Sequence, residues 1–174
     1  MLRERVFPVI VPRTYFQYGN WPGYYKLLRH PQLAVTWVET SNPGSMLYVN
    51  VEDHDRLEAS GQCVHELAML NLRKAGALTT HEKVVDGEII FRSMMHSDGL
   101  GSSRLLLLPE LAHLFPNGYL CGIPERSCGI VAPRNLPNDS YAQVLQMVNG
   151  CYEGGTTPML SGMFEPSQFE VVDA

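Results

Sequence analysis

Residues 97–108 read Ser97-Asp98-Gly99-Leu100-Gly101-Ser102-Ser103-Arg104-Leu105-Leu106-Leu107-Leu108, and two folds compete for them. Read as a glycine-rich phosphate cradle, they place the chain among the parallel α/β proteins. Read as the start of a buried helix, they leave it free to be built from hairpins. Gly99 and Gly101 satisfy the first two glycines of G-x-G-x-x-G, but Arg104 holds the third position. That removes the close helix–strand approach the third glycine permits. There is no Gly-Lys-Ser/Thr, so a P-loop fails as well. A helix start accounts for the same letters. The glycines let the chain turn, Ser102 or Ser103 caps, and the leucines enter the core. Pro109 then predicts a kink, or a new helical turn begun by that proline. Arg104 is the exception, because a cation near a helix N-terminus opposes the dipole. It calls for a carboxylate (Asp98 or Glu66) or a bound anion. The carboxylate is the expected partner, since a buried arginine is usually paired.

The flanking sequence favours hairpins. Leu33–Thr40 and Ser45–Val51 are strand-like runs joined by Asn42-Pro43-Gly44, a strong turn signal. Thr79–Met95 carries Asp86-Gly87, the signature of a type I′ turn. Tyr119–Ala132 predicts a third hairpin turning at Pro124-Glu125-Arg126-Ser127, with Ile123 facing Cys128 and Cys121 facing Ile130. Val6–Val11 is a first strand, and Pro8 points to an edge position or to the strand's end. Glu52–Ala75 reads as mostly helical, with Cys63, Val64, Leu67, Ala68 and Leu70 on one face. Gly61 weakens its middle, and Gly76 stops it after Arg73 and Lys74. A further helix starts at a cap on Asp139 or Ser140 and runs to about Tyr152, with Tyr141, Val144, Leu145 and Val148 on one face. Met159–Phe164 and Gln168–Val172 read as a terminal hairpin or one broken strand. The expectation is one α+β domain over residues 1–174: a mainly antiparallel sheet built from hairpins, with about three helices packed on it.

Composition narrows the function. The chain has 174 residues, 45% hydrophobic and 18% charged, with a net charge of −5. A chain of this size buries about 70% of the surface it exposes when unfolded, enough for a core without staples. No run of Lys and Arg forms a basic footprint, so nucleic acid is not an expected partner. No segment approaches the ~20 apolar residues of a spanning helix, and Pro8 and Pro12 break the N-terminal apolar run of a signal peptide. The four cysteines, Cys63, Cys121, Cys128 and Cys151, form no CxxC or CxxH pair, so neither a zinc site nor a cofactor is expected. Reduced, mostly buried thiols in a cytoplasmic protein are the simplest reading. Cys121 and Cys128, as diagonal neighbours across the third hairpin, are poorly placed for a disulfide.

Two groups of residues carry candidate function. His96 and Asp98 stand one residue apart, and an orienting pair with Ser102 or Ser103 as nucleophile is conceivable. There is no G-x-S-x-G elbow to support it, and no histidine pair with metal-ligand spacing. The aromatic stretch Tyr15, Phe16, Tyr18, Trp21, Tyr24, Tyr25 either stacks on a ligand or pins a connection over the sheet.

Several of these pieces, taken together, resemble the YtpQ-like family, bacterial proteins without a known biochemical function. Val6-Phe7-Pro8-Val9-Ile10 is similar to its first strand. Asn71-Leu72-Arg73 is similar to the end of its first shared helix. Asp98-Gly99 with Ser103-Arg104 is similar to its Asp-Gly-x-x-small-Ser-Arg segment. Pro124 before its turn and Gly155-Thr156-x-Pro158 complete the series. Their order runs along nearly the whole chain, although longer members carry an additional N-terminal region. The resemblance implies a bacterial α+β domain, and a recurring constellation of Asn71, Arg73, Asp98, Ser103 and Arg104. It implies no catalytic residue, metal or cofactor.

The sequence therefore leads to a non-catalytic cytoplasmic binding or accessory domain acting through a protein partner, in an immunity or regulatory role. Asn71, Arg73, Asp98, Arg104, Trp21 and Tyr24 are its candidate binding residues. The alternative is a small hydrolase or anion-binding enzyme using Asp98, Ser103 and Arg104, with His96.

Overall fold

The computed structural model describes residues 3–17, 19, 21–42 and 45–172. Among them are four α-helices and two four-stranded antiparallel sheets, an α+β fold. The chain divides into two compact units. The first runs to Gly76 and takes in the segment from Val171; the second is Ala77–Glu170.

The first unit is organised by one long strand. β1 (Val6–Pro12), β2 (Tyr25–Leu27), β3 (Leu33–Asn42) and β4 (Ser45–Tyr48) form its sheet. β1 lies antiparallel along β3, from Val6 opposite Glu39 to Pro12 opposite Leu33. β2 and β4 share the other flank, pairing with Ala34–Thr36 and with Val38–Asn42. β1 is thus an edge strand, where Pro8 loses no ladder bond. The hairpin from β3 to β4 forms as expected; Tyr18, Pro43 and Gly44 lie outside the described residues. The helix expected over residues 52–75 is two helices, α1 (Val51–Ala59) and α2 (Val64–Lys74). Gly61 between them takes φ +77°, a left-handed conformation that no helix interior accommodates. Asn50 caps α1 by accepting from the Asp53 N–H at 2.7 Å. α2 buries Val64, Ala68, Met69, Asn71 and Leu72. Cys63 and Leu70, expected on that face, are exposed. Leu70 is two residues on from Ala68, about 200° round the helix, so both cannot face the sheet. Gly76, at φ +109°, ends α2 as the sequence predicts.

The second unit holds β5 (His81–Val85), β6 (Glu88–Met95), β7 (Tyr119–Glu125) and β8 (Cys128–Pro133), in the order β5-β6-β8-β7. Asp86 and Gly87 both adopt positive φ, 52° and 81°, as a type I′ turn requires. The β7–β8 turn is tighter than its sequence signal. Arg126 and Ser127 make the turn, Glu125 faces Cys128, and a register shift between Gly122 and Glu125 puts Gly122 opposite Ile130. Cys121 consequently faces Val131. Because strand side chains alternate, Cys121 and Cys128 point to opposite faces of the sheet and are not diagonal neighbours.

Those faces are covered differently. α4 (Asn138–Gly154) packs Val144 and Val148 onto Ile90, Phe91, Cys128, Ile130 and Ala132. The opposite face meets a 3-10 turn, Ser102–Leu106, which leads into α3 (Leu108–Leu114). α4 starts earlier than expected. Pro137 is its N-cap and no side chain bonds there, so Asp139 and Ser140 stand inside its first turn. Pro109 falls in the first turn of α3, the new-turn outcome of the two its sequence allowed. No terminal hairpin forms. Residues 159–164 instead run along β7, where Phe164 and Cys121 exchange N–H···O bonds of 2.7 and 2.8 Å, and a 3-10 turn over Pro166–Phe169 follows. No helix among the described residues is long and apolar enough to cross a membrane.

Candidate functional site

The loop leaving β6 is held by Asp98. Its Oδ1 accepts from the Leu100 N–H at 2.8 Å, closing a short turn in which Gly99 takes φ +73°. The same carboxylate takes two bonds from Arg104, Nη1 to Oδ1 at 3.2 Å and Nη2 to Oδ2 at 2.8 Å. This is the bidentate fork that a guanidinium makes with a carboxylate. The Arg104 side chain is 0% exposed, and that of Asp98 is 33% exposed. Asp98, one of the partners the sequence offered Arg104, is engaged. Partial burial pushes the Asp98 carboxyl up. The Arg104 hydrogen bonds, the Leu100 N–H and the guanidinium charge outweigh it, and the carboxyl lies below its ordinary value.

The serines do not cap the turn that follows. The Ser102 hydroxyl donates to the Arg126 carbonyl, and Ser103 Oγ is buried without a hydrogen-bond partner. Close packing explains why. A Cβ on Gly101 would stand 1.9 Å from the Ser127 carbonyl oxygen and 2.2 Å from that of Met94. Opposite, a Cβ on Gly129 would meet the Gly101 oxygen at 2.9 Å. Gly101 thus belongs to a backbone-on-backbone contact between the 3-10 turn and the sheet, which is what draws Ser102 onto the β7–β8 turn.

His96 is half-buried and its Nε2 has no hydrogen-bond partner. Burial, then the nearby Arg104 charge, lower its pKa, against the opposing effect of Asp98. The ring is therefore neutral at neutral pH. Asp98 gives its oxygens to Arg104 and the Leu100 N–H, not to His96. Ser103, like Arg104, has no solvent-exposed surface. The arrangement offers substrate neither an accessible nucleophile nor an accessible guanidinium. It can hold a loop and a turn in place.

The remaining candidates lie elsewhere. Asn71 and Arg73 belong to α2 of the first unit, whereas Asp98, Ser103 and Arg104 belong to the second. Asn71 is buried and donates from Nδ2 to the Val6 carbonyl at 2.9 Å, tying α2 to β1. Arg73 is exposed in the last turn of α2. Trp21 and Tyr24, expected on an exposed aromatic surface, are half-buried among other rings. Trp21 meets Phe16 edge-on at 5.0 Å and Tyr48 at 4.5 Å; Tyr24 stacks on His54 at 3.5 Å. The stretch pins a connection, the plainer of its two readings. Arg13 escaped sequence reasoning: it bonds the Leu28, His30 and Leu33 carbonyls and closes the loop before β3. A lone arginine after Pro12 carries no signal for that role.

Among the described residues, no three His, Cys, Asp or Glu side chains are grouped to hold a metal ion. No protein-family model matches the chain, and no curated protein or solved structure is detectably similar to it.

Proposed function

We propose that the chain is a non-catalytic binding or accessory domain of the bacterial cytoplasm, acting through a protein partner in an immunity or regulatory role, and a member of the YtpQ-like family. The observation that carries the non-catalytic reading is the enclosure of Ser103 and Arg104, both 0% exposed, with Arg104 clamped on Asp98. A nucleophile or an anion-binding cation has to meet its substrate, and these two do not. The family assignment rests on the collinear motifs from Val6 to Pro158.

The surface best suited to a protein partner is the outer edge of β5. β5 ends its sheet, and four of its five residues are exposed. An edge strand presents unpaired N–H and C=O groups, and adding a strand to such an edge is a common mode of peptide recognition. Lys83 at its centre guards against indiscriminate pairing.

The test is capture of the partner by the full chain, followed by hydrogen exchange on the purified complex. Protection confined to residues 81–85, together with weakened binding by Val84→Asp, supports the reading. A turnover by the wild-type chain that Ser103→Ala abolishes without unfolding it would establish the enzyme instead.

A further inference from the structure

A cleft in the second unit gathers sulfur. Met95 pairs with Cys128, and Glu125 pairs with Cys128 from the other side. Directly opposed residues point to one face of a sheet, so these three side chains form a row across β6, β8 and β7. That is the face α4 covers, since Cys128 packs with Val144, Val148 and Met147. Along α4, Val144, Met147, Val148 and Cys151 recur at helical spacing on one side. Cys151 is the next turn of the stripe, and it lines the same cleft as Met95, Cys128 and Met147.

Two features set this cleft apart. The chain has four cysteines and eight methionines in 174 residues, yet four of the ten residues lining the cleft carry sulfur. Random lining would give fewer than one. Met95, moreover, is 60% exposed, so one thioether of the cleft is open to solvent. Gly150 and Gly154 keep the helix wall low, with nothing within 4 Å of a Cβ at either.

We propose that this cleft binds a soft monovalent cation of the Cu(I) class, through the Cys128 and Cys151 sulfurs with Met95 and Met147 as thioether ligands. Thiolate and thioether donors select Cu(I) over harder ions. Zinc takes four ligands in a structural site, and two thiols fall short of that. Each thiol gives up its proton to solvent as its sulfur joins the metal, so uptake releases protons and weakens as the pH falls. Burial, with Cys151 and Glu125 nearby, pushes the Cys128 thiol up to about 12, so it is protonated until a metal displaces the proton. This inference is independent of the partner surface on β5.

The test is titration of the reduced full chain with Cu(I), without oxygen, in competition with a coloured Cu(I) chelator. One ion per chain is expected, with a sulfur-only first shell by X-ray absorption. Cys151→Ser should weaken binding by about 100-fold or more, because altering even an outer-shell partner costs 10- to 100-fold. Met95→Leu should weaken it less, and Cys63→Ser should leave it unchanged. Circular dichroism separates lost binding from lost fold. Wild-type affinity in folded Cys151→Ser, dependence on Cys63, or nitrogen and oxygen in the first shell would each overturn the site. The absorption measurement needs no variant, so it decides the question even where a substitution unfolds the protein.

Discussion

Arg104 lies wholly inside the protein with both Asp98 carboxylate oxygens on its terminal nitrogens, while Asp98 itself reaches solvent. The pair is therefore asymmetric. Removing Asp98 takes the bidentate carboxylate away from a buried cation; removing Arg104 leaves a carboxylate that water can hydrate and that keeps its Leu100 N–H. Breaking a buried pair costs about 3–5 kcal/mol, and partial exposure puts Asp98→Ala at the low end, about 3 kcal/mol. Arg104→Met should cost less. Urea denaturation of both variants checks the order, and the reverse order would contradict the asymmetry of the pair.

The same pair sets a pH dependence, with His96 beside it. Both groups have folded pKa values below their ordinary ones, 3.8 for Asp98 and 6.5 for His96. In each case the unfolded chain binds the proton first, so stability rises with pH. Stability should fall as the pH drops below 6.5, through His96 and the similarly lowered His30, and fall again below 3.8 through Asp98. His96→Asn should make the upper limb shallower, leaving the His30 share, and should change the lower one little. Unfolding free energy measured from pH 8 to pH 3 in the two proteins reads both limbs.

Gly101 and Gly150 should respond oppositely to alanine. At Gly101 the added carbon would overlap two backbone carbonyl oxygens, which cannot swing away as a side-chain tip can. The cost should reach or exceed about 3 kcal/mol, the upper range for overpacking. Gly150 lies inside α4 with open space around its Cβ position, so Gly150→Ala should stabilise by about 0.5–1 kcal/mol. Thermal melts of both variants give the contrast.

What the sequence makes legible is what adjacent residues dictate. Asp86-Gly87 announces its turn because few other pairs tolerate two positive φ values. Gly76 and Gly61 mark helix boundaries for the same local reason. The β7–β8 register is not legible, because Glu125 and Arg126 sit equally well in a strand or a turn; pairing across the sheet decides it. Ser102 looks like a cap until Gly101 is pressed against the backbone of Met94 and of Ser127, the latter far from it along the chain. Asp98 and Arg104 are close enough in sequence for their pairing to be foreseen, but the complete enclosure of Arg104 comes from tertiary packing. The sulfur cleft is invisible for the same reason, since its donors come from two strands and a helix.

The thiols give a last prediction, and it probes the packing of the second unit directly. Cys63 is exposed and Cys151 half-buried, whereas Cys121 and Cys128 are buried. Alkylation requires thiolate and access together. Burial drives the Cys121 thiol far above its ordinary 9.0, and the nearby Glu165 charge adds to the effect; Cys128 is raised to about 12. At pH 8, pulse alkylation of the metal-free native chain with mass mapping should label Cys63 fastest and Cys151 more slowly. Cys121 should react only through opening of the unit, so its rate reports that opening, and Cys128, protonated and almost fully buried in the cleft wall, should be slow. Gly101→Ala, which pries the 3-10 turn from the sheet, should accelerate both without changing Cys63. Rapid native labelling of Cys121 or Cys128 would contradict the close packing on the two faces of that sheet.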